Sequence, residues 1–306
     1  MTGSLVAVRD SGFAGTPVLL LVHGMGTGAD GWQPQFDHFG GRARVLAPDL
    51  PGFGDSSGPF SIARSVTALS SVLDERGIGQ AVLCGLSLSA LVSLRFALSY
   101  PERVAGLVVV AGFAALPADA RTQQLAMTDQ LAEMPTEAAS EVVEQIVASV
   151  PPPSRDPARR ALAGFDPASL AALMREASLF DVVNECRGFN RPTIVAWGAE
   201  DVLNAPLRRG LASQLSGAAT REIPGAGHVA NLDAPLAFND MLEEFLASLP
   251  APGGVTALNG PTELPIWQLS EGWRVDRSHT GNTDRDSLAH GTSSFLTRSV
   301  RRRKGR

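Results

Sequence analysis

Gly85-Leu86-Ser87-Leu88-Ser89 lies between an apolar run and a segment with helical spacing, so a serine occupies a predicted turn from strand to helix. Such a turn needs very small residues two positions before and two positions after the serine, because the two backbones approach closely there. Gly85 meets this requirement and Ser89 nearly meets it, whereas a frame centred on Ser89 would need a leucine in a small-residue position. The spacing therefore selects Ser87 as the candidate nucleophile.

An acid and a histidine follow two later strand candidates. The apolar run at 192–196 leads into Glu200 and Asp201, and the strand candidate at 220–223 leads into His228. Each of the three side chains lies just past the end of a strand. A histidine that is oriented by an acid can activate a serine for nucleophilic attack. Each residue alone has an ordinary structural explanation as a helix cap or a loop residue, but the ordered set favours a catalytic triad.

The alternation of strand and helix patterns predicts an α/β fold with a mostly parallel sheet that helices cover on both faces. A chain of 306 residues is long enough for one large domain of this kind with a subdomain. The strand candidates are 5–9, 17–22, 44–47, 80–84, 106–110, 192–196 and 220–223.

Composition excludes several kinds of catalysis. The only lysine, Lys304, lies in a basic terminal cluster, so the body of the chain has no amine for a Walker-type phosphate site or a Schiff base. The 5 histidines never fall at metal-ligand spacing with one another or with a cysteine pair. The sequence therefore predicts catalysis by organic side chains, with no cofactor and no metal.

A dinucleotide fingerprint is an alternative interpretation of the glycines at 24–29, because Asp49 follows at about the usual distance of 20 residues. The helix that this fingerprint requires would run through Gly31 and Pro34, which leaves little unbroken helix to bind a pyrophosphate. Nor does this interpretation account for the serine, the acid and the histidine.

The ordered motifs resemble those of the α/β-hydrolase fold family over residues 4–249. Besides the turn at Ser87, the resemblance rests on His23-Gly24-Met25-Gly26, on 49–56, on 101–104, and on Gly227-His228 with Asp233, Pro235 and Phe238 behind it. The motifs around Ser87 and His23 are most similar to those of enol-lactonases and small carboxylesterases. The resemblance implies a mostly parallel sheet flanked by helices, with a helical cap inserted between two strands.

The resemblance also implies a role for each member of the triad. Ser87 would be the nucleophile, His228 the general base, and Asp201 the acid that orients the histidine. The family spacing after Trp197-Gly198 selects Asp201 and leaves Glu200 as a solvated neighbour.

Two backbone donors and a set of aromatic side chains complete the expected site. By resemblance, the N–H groups of Met25 and Leu88 would bind the oxyanion that forms on the carbonyl oxygen. The aromatic residues that follow the glycine loops are candidates for an apolar acyl or alcohol pocket, with core packing as the alternative; they are Trp32, Phe53 and Phe60.

Three parts make up the expected domain organisation. Residues 1–113 and 191–249 form the hydrolase core. Residues 114–190, where the rhythm of the sheet stops and helical patterns follow, form a helical cap over the active site, with ordinary sheet-covering helices as the alternative. Residues 250–306 form a linker and a disordered basic tail.

Charge is distributed unevenly between the body and this tail. From position 250 the chain has 9 basic and 5 acidic residues, a net +4, which leaves −9 for the body because the whole chain carries −5. A terminal charge cluster without interleaved aromatics favours a solvated tail over a nucleic-acid site. The start lacks a signal pattern and no apolar run reaches membrane-spanning length, so we expect a cytoplasmic enzyme with no membrane partner. The sequence leaves the oligomeric state open.

The expected function is that of a serine hydrolase that cleaves carboxylic ester or lactone bonds of a small apolar substrate through an acyl-serine intermediate. Thioester hydrolysis, acyl transfer, C–C hydrolysis and perhydrolysis stay open, because the same triad serves each of them. A noncatalytic ligand-binding member of the fold is the other alternative, since Ser89 stands where the family has glycine.

Overall fold

The computed structural model describes residues 6–148, 150–152, 155–162, 166–202 and 207–250, without the side chains of 136–139, 157, 161, 208 and 209. The predicted linker and tail at 250–306 therefore lie, apart from residue 250, outside the described residues. Among the helices of the described residues, none has both the length and the apolarity that crossing a membrane requires.

A seven-stranded sheet forms the centre of the molecule, in the spatial order β1-β3-β2-β4-β5-β6-β7. Strand β1 pairs with β3 in antiparallel orientation, and all other pairs are parallel. The prediction of a mostly parallel sheet is therefore confirmed. The strands are β1 (Val8–Asp10), β2 (Val18–Val22), β3 (Arg44–Pro48), β4 (Ala81–Leu86), β5 (Val104–Val110), β6 (Thr193–Gly198) and β7 (Ala219–Ile223).

Helices cover both faces of this sheet. The α-helices of the described residues are α1 (Gln33–Phe39), α2 (Ile62–Glu75), α3 (Leu88–Ser99), α4 (Ala118–Ala132), α5 (Thr136–Ala148), α6 (Arg155–Leu162), α7 (Pro167–Leu179), α8 (Val183–Cys186), α9 (Arg208–Gln214), α10 (Ala230–Asp233) and α11 (Pro235–Ser248). Helices α2, α3 and α9 contribute to one apolar core, and α1 and α11 contribute to the other.

Strand β4 shows why the strands are continuous apolar runs. Successive side chains of a strand point to opposite faces, so Leu83 packs in the core of α2 and α3 while Val82 and Cys84 pack in the core of α1 and α11. Because both faces are covered, no position along the strand is left for a solvated side chain. The whole of β4 is buried.

Between β5 and β6 the described residues form five helices, α4 to α8. A single parallel crossover needs one helix, so this segment exceeds what the sheet connection requires. Helices α4 and α7 share a small apolar cluster of Leu131, Leu170 and Ala171, and the side chain of Met25 packs against it. These helices therefore contact the loop that follows β2.

The chain reverses its direction of travel across the sheet at β2, which has β3 on one side and β4 on the other. In open α/β sheets a crevice forms at such a point, beyond the carboxyl ends of the two central strands. Strand β2 ends at Val22 and β4 ends at Leu86, so the loop at 23–26 and Ser87 both begin at this crevice. The topology thereby brings two of the predicted motifs to one edge of the sheet.

Candidate active site

Ser87 occupies a backbone conformation that few residues adopt. Its φ is 58° and its ψ is −115°, and among the described non-glycine residues only Ala111 shares a positive φ. A Cβ atom at Gly85 would overlap the carbonyl of Ser89 and the hydroxyl of Ser93, so this position needs glycine. A conformation of this kind costs about 1 to 3 kcal/mol and persists only where the surrounding structure imposes it. Here it lifts the serine out of the strand toward the crevice.

Hydrogen bonds connect Ser87, His228 and Asp201, which are the three residues of the predicted triad. His228 Nε2 lies 2.9 Å from Ser87 Oγ, and His228 Nδ1 lies 3.2 Å from Asp201 Oδ2. A neutral imidazole whose Nδ1–H donates to the carboxylate presents an unprotonated Nε2, which accepts the serine proton. The Asp201 side chain is fully buried and that of His228 is 24% exposed. The carboxylate is therefore shielded from water while the imidazole faces the crevice.

The loops that hold Asp201 and His228 are joined by backbone hydrogen bonds. Ala199 N–H donates to Ile223 O and Glu200 N–H donates to Ala226 O, both at 2.9 Å. A Cβ atom at Gly198 would overlap the carbonyl oxygens of the second loop, so glycine permits this close approach. Glu200 itself is exposed, and Asp201 rather than Glu200 contacts the histidine.

Asp233 supports the histidine loop, a role that sequence reasoning did not assign to it. Its Oδ2 accepts a 3.0 Å hydrogen bond from Gly227 N–H, directly before His228. Burial raises the pKa of the Asp233 carboxyl, while hydrogen bonds from Gly227 and Val229 and the nearby His228 act in the opposite direction. An aspartate a few residues after a Gly-His pair was the available signal, but its partner is a backbone group that no side-chain pattern reveals.

The loop after β2 is held against the turn at Ser87. A Cβ atom at Gly24 would lie 2.9 Å from the Leu86 carbonyl oxygen, so the two backbones are nearly in contact. Met25, Ser87 and Leu88 all line one cavity. Leu88 is the first residue of α3, and the N–H groups of a first helical turn have no acceptor within the helix. Both predicted oxyanion donors thus belong to residues at the crevice.

His23 holds the start of this loop in place as a neutral imidazole. Leu50 N–H donates to its Nε2 at 2.9 Å, so Nδ1 carries the proton and donates to Gly24 O at 2.9 Å. Complete burial lowers the pKa of His23, and the contacts with Gly24 and Asp49 only partly oppose this effect. His23 is therefore a structural histidine, and His228 is the one that contacts the serine.

The crevice opens into a cavity of about 520 Å³ that contains Ser87 and His228. Most of its lining is apolar, and much of it comes from the helices between β5 and β6. Leu173, Met174 and Ala177 come from α7, and Phe113 and Leu116 come from the loop between β5 and α4. Asp119 and Gln124 supply polar groups from α4.

The aromatic candidates Trp32, Phe53 and Phe60 do not line this cavity. Trp32 is 1% exposed and packs on Phe238, with 5.9 Å between the ring centroids. Phe53 is equally buried and stacks edge-on against His23 and Phe60. This placement corrects the expectation that they form the pocket, because Trp32 and Phe53 are buried in the core and Phe60 is half-buried against Phe53.

The glycines at 24–29 do not precede a helix that suits a dinucleotide. The α-helix that follows, α1, has only seven residues. Asp49, which would bind a ribose, instead accepts hydrogen bonds from Ala29 N–H at 2.7 Å and Asp55 N–H at 3.1 Å. Within the described part of the chain, no three His, Cys, Asp or Glu side chains form a group that could hold a metal ion.

Comparisons with known proteins agree with this architecture. Residues 19–241 match the family model described as the alpha/beta hydrolase family. The chain is 29% identical over 254 residues to 3-oxoadipate enol-lactonase 2 of Acinetobacter baylyi. The aligned region covers 77% of this chain and 90% of that protein. It is 28% identical over 248 residues to a putative carbamate hydrolase of Klebsiella pneumoniae, and this alignment covers 77% of this chain and 93% of that protein.

A solved structure of a hydrolase from Pseudomonas aeruginosa has 27% sequence identity to the chain and a TM-score of 0.69. The superposition covers 79% of this chain and 94% of the other. The region that matches the family model includes Ser87, Asp201 and His228.

Proposed function

Because this chain belongs to the alpha/beta hydrolase family, we propose that it is a serine hydrolase that cleaves carboxylic ester or lactone bonds of small apolar substrates. The observation that carries the proposal is the path of hydrogen bonds from Ser87 through His228 to Asp201. This path supplies a nucleophile, a base and an orienting carboxylate in one crevice. The similarity to an enol-lactonase and to a putative carbamate hydrolase supports acyl chemistry of this kind.

Ser87 Oγ attacks the carbonyl carbon of the substrate, and His228 Nε2 takes the serine proton. The imidazolium then donates this proton to the alcohol oxygen as its bond to the carbonyl carbon breaks, which leaves an acyl-serine; the alcohol departs from an ester and stays attached to the acyl chain of a lactone. His228 then takes a proton from a water molecule that attacks the acyl-serine, and returns it to Ser87 Oγ as the serine–acyl bond breaks and the acid is released. Asp201 keeps the imidazole in the required tautomer and stabilises its charged form.

Negative charge develops on the carbonyl oxygen as the tetrahedral intermediate forms. The backbone N–H groups of Met25 and Leu88 are the proposed donors to this oxygen, and each such donor is worth about 3 to 4 kcal/mol in comparable sites. The close contact between Gly24 and the Leu86 carbonyl supports this role, because it holds the segment before Met25 against the segment before Leu88, and both residues line one cavity.

The helices at 114–190 are proposed to form the cap that shapes the substrate cavity. Leu173 and Met174 of α7 line the cavity, and the Met25 side chain packs against the cluster shared by α4 and α7. A cap of this kind excludes water from the acyl group and selects substrates by shape.

The lining supports a substrate without a free carboxylate. Among the described lining side chains, Asp119 is the only acidic one, and His228 is the only one that can become positively charged. The side chains of Arg208 and Arg209 lie outside the described residues. We expect p-nitrophenyl butanoate to react about tenfold faster, in kcat/KM, than the hemiester of p-nitrophenol with succinic acid, because Asp119 repels the anion. Equal or faster reaction of the hemiester would contradict this substrate class.

Labelling with a fluorophosphonate probe tests the central proposal. The probe reacts only with an activated serine, so we expect one modification, mapped by mass spectrometry to Ser87. Ser87→Ala abolishes labelling, and Ser93→Ala is the matched control because Ser93 is a buried serine on the adjoining helix. Absence of labelling in folded wild-type protein would favour the noncatalytic alternative.

Analysis of products separates hydrolysis from acyl transfer. Ester incubated with an added alcohol gives only the free acid if water is the second nucleophile, and gives a new ester if the enzyme is an acyltransferase. Thioester and C–C hydrolysis are compared in the same way, with matched thioester and 1,3-diketone substrates.

The cytoplasmic location stays a prediction of the sequence.

A further inference from the structure

Ser89 is completely buried at the position where the resemblance leads us to expect glycine, and its hydroxyl is fully engaged. Leu86 N–H donates to Ser89 Oγ at 2.9 Å. The hydroxyl proton has two acceptors within reach, Val22 O at 2.5 Å and Leu86 O at 3.1 Å, and the shorter contact is the main one. The hydroxyl therefore both accepts and donates a hydrogen bond at a position that is closed to bulk solvent.

These two partners lie at the ends of the central strands. Strands β2 and β4 pair in register up to Val22 and Gly85, which is the last pair of the ladder. The Ser89 hydroxyl links Val22 O to Leu86 N–H, so it continues the connection one step beyond the paired residues. A side chain thus supplies the hydrogen bonds between the two strands beyond the last backbone pair.

Both strand ends lead directly into the reacting groups. Leu86 precedes Ser87, and Val22 is followed by His23, Gly24 and then Met25. The link made by Ser89 therefore joins the segment that carries the nucleophile to the segment that carries one oxyanion donor.

We propose that Ser89 is a positioning residue whose hydroxyl sets the distance between Ser87 Oγ and the backbone N–H of Met25. This inference rests on the proposed function, since it assumes that Ser87 is the nucleophile and Met25 an oxyanion donor. Oxyanion donors act only at hydrogen-bond distance from the developing charge. A small change in this spacing therefore reduces stabilisation of the transition state more than it reduces binding of the substrate. The hydroxyl affects kcat rather than KM.

Ser93 provides a matched control. It lies on the same helix one turn further on and is as fully buried as Ser89. Its hydroxyl packs near Gly85 but has no hydrogen-bond partner among the described residues. Loss of this hydroxyl removes the same atom from the same helix without breaking the link between the strands.

The experiment compares Ser89→Ala, Ser89→Gly and Ser93→Ala with the wild type, all as full chains. For each protein we measure Tm. At one temperature well below every Tm, we then measure kcat and KM for p-nitrophenyl butanoate and the rate constant of fluorophosphonate labelling. Active sites are counted by the extent of labelling, so that unfolded protein does not lower kcat.

We expect kcat to fall about tenfold in both Ser89 variants, with KM within about twofold of the wild type and a parallel fall in the labelling rate. Ser93→Ala stays within about twofold in every constant. The glycine variant matters most, because it restores the residue of the family and introduces no strain; if Ser89→Ala fails to fold, Ser89→Gly decides alone.

Two results overturn the inference. If kcat per active site is unchanged in the Ser89 variants while Tm falls, the hydroxyl only braces the fold. If Ser93→Ala lowers kcat as much as Ser89→Ala, the effect belongs to packing and not to the link. Failure of the proposed function looks different, because wild-type protein would then show neither labelling at Ser87 nor ester hydrolysis.

Discussion

The turn at Ser87 and the helical segment at 114–190 border the same cavity, but different forces hold them. Around the turn, buried hydrogen bonds fix the backbone, as Ser87 N–H to Val110 O at 2.8 Å and the contacts of Ser89 illustrate. In the helical segment, apolar contacts are joined by exposed ion pairs such as Arg175 to Asp129, whose side chains are 52% and 68% exposed.

This difference indicates a division of labour. A buried hydrogen bond is directional and its loss is costly, so a network of such bonds holds one geometry. Apolar contacts are not directional and tolerate substitution when volume is preserved. The sheet edge is therefore suited to hold reacting atoms, and the helices are suited to change with the substrate.

The sharpest test of the sheet edge is His228→Gln. Glutamine retains a polar side chain but cannot act as a base, so we expect kcat to fall by about three to five orders of magnitude with little change in KM. Steady-state kinetics with a p-nitrophenyl ester gives both constants. Turnover near that of the wild type would remove His228 from the mechanism.

Asp201→Asn is the next largest expected effect. The amide keeps the size of the side chain but loses the charge that fixes the tautomer, so we expect kcat to fall by about three to four orders of magnitude. Glu200→Gln removes the neighbouring exposed charge and is expected to stay within about twofold. A larger effect at Glu200 than at Asp201 would reassign the acid of the triad.

A smaller effect on a different constant is expected from the helical segment. Leu173 is 3% exposed and lines the cavity, whereas Leu179, on the same helix, is 54% exposed and does not. We expect Leu173→Ala to raise KM for an apolar ester about tenfold, because apolar contact with the substrate is lost, and to change kcat much less. Leu179→Ala is the control and leaves both constants unchanged. A selective loss of kcat in Leu173→Ala would contradict the division of labour.

The smallest expected effects compare, by urea unfolding, an ion pair of the sheet with an ion pair of the helical segment. In the sheet, Arg44 makes two hydrogen bonds to Asp10 at 2.9 and 3.2 Å, and both side chains are about one quarter exposed. We expect Arg44→Gln to lower the free energy of unfolding by about 1 to 2 kcal/mol, whereas Arg175→Gln lowers it by less than about 0.5 kcal/mol. Equal losses would show that the two regions are held alike.

The pH dependence of the Arg44 pair has a definite sign. Burial by itself raises the pKa of Asp10, but hydrogen bonds from Arg44, Gly12 and Arg76 outweigh burial and hold the pKa below its ordinary value. The folded state therefore favours the carboxylate, and its stabilisation is present above the unfolded pKa and is lost as the pH falls through the folded pKa. The difference in stability between wild type and Arg44→Gln should shrink over that acidic range.

Much of the sheet could be predicted from the sequence, because each strand is a short apolar run with a clear boundary. The strand candidates at 17–22 and 44–47 correspond to β2 and β3 within one residue at each end. Strand β1 begins at Val8 and ends at Asp10, where the prediction was 5–9; residues 1–5 lie outside the described part. An edge strand paired on one side has fewer contacts to fix its limits.

The pocket could not be predicted in the same way. Trp32 and Phe53 lie close in sequence to loops of the site, but their rings turn into the core beneath it. The residues that line the cavity, such as Phe113 in the loop after β5 and Leu173 in α7, come from a segment whose placement depends on contacts between distant parts of the chain. Local periodicity shows that a helix has an apolar face and does not show what that face meets.

The class of the fold and the three side chains that meet at the crevice could both be predicted from the amino-acid sequence alone. This was possible because parallel strands end at the same edge of a sheet, so residues that follow strands come together even when, like Ser87 and His228, they are 141 positions apart. The surroundings of these side chains, which include the cavity lined by α7 and the two strand ends joined by Ser89, follow from tertiary contacts. Those features depend on distances between segments that no local pattern encodes, because hydrogen bonds and apolar contacts form only once the whole sheet and its helices are assembled.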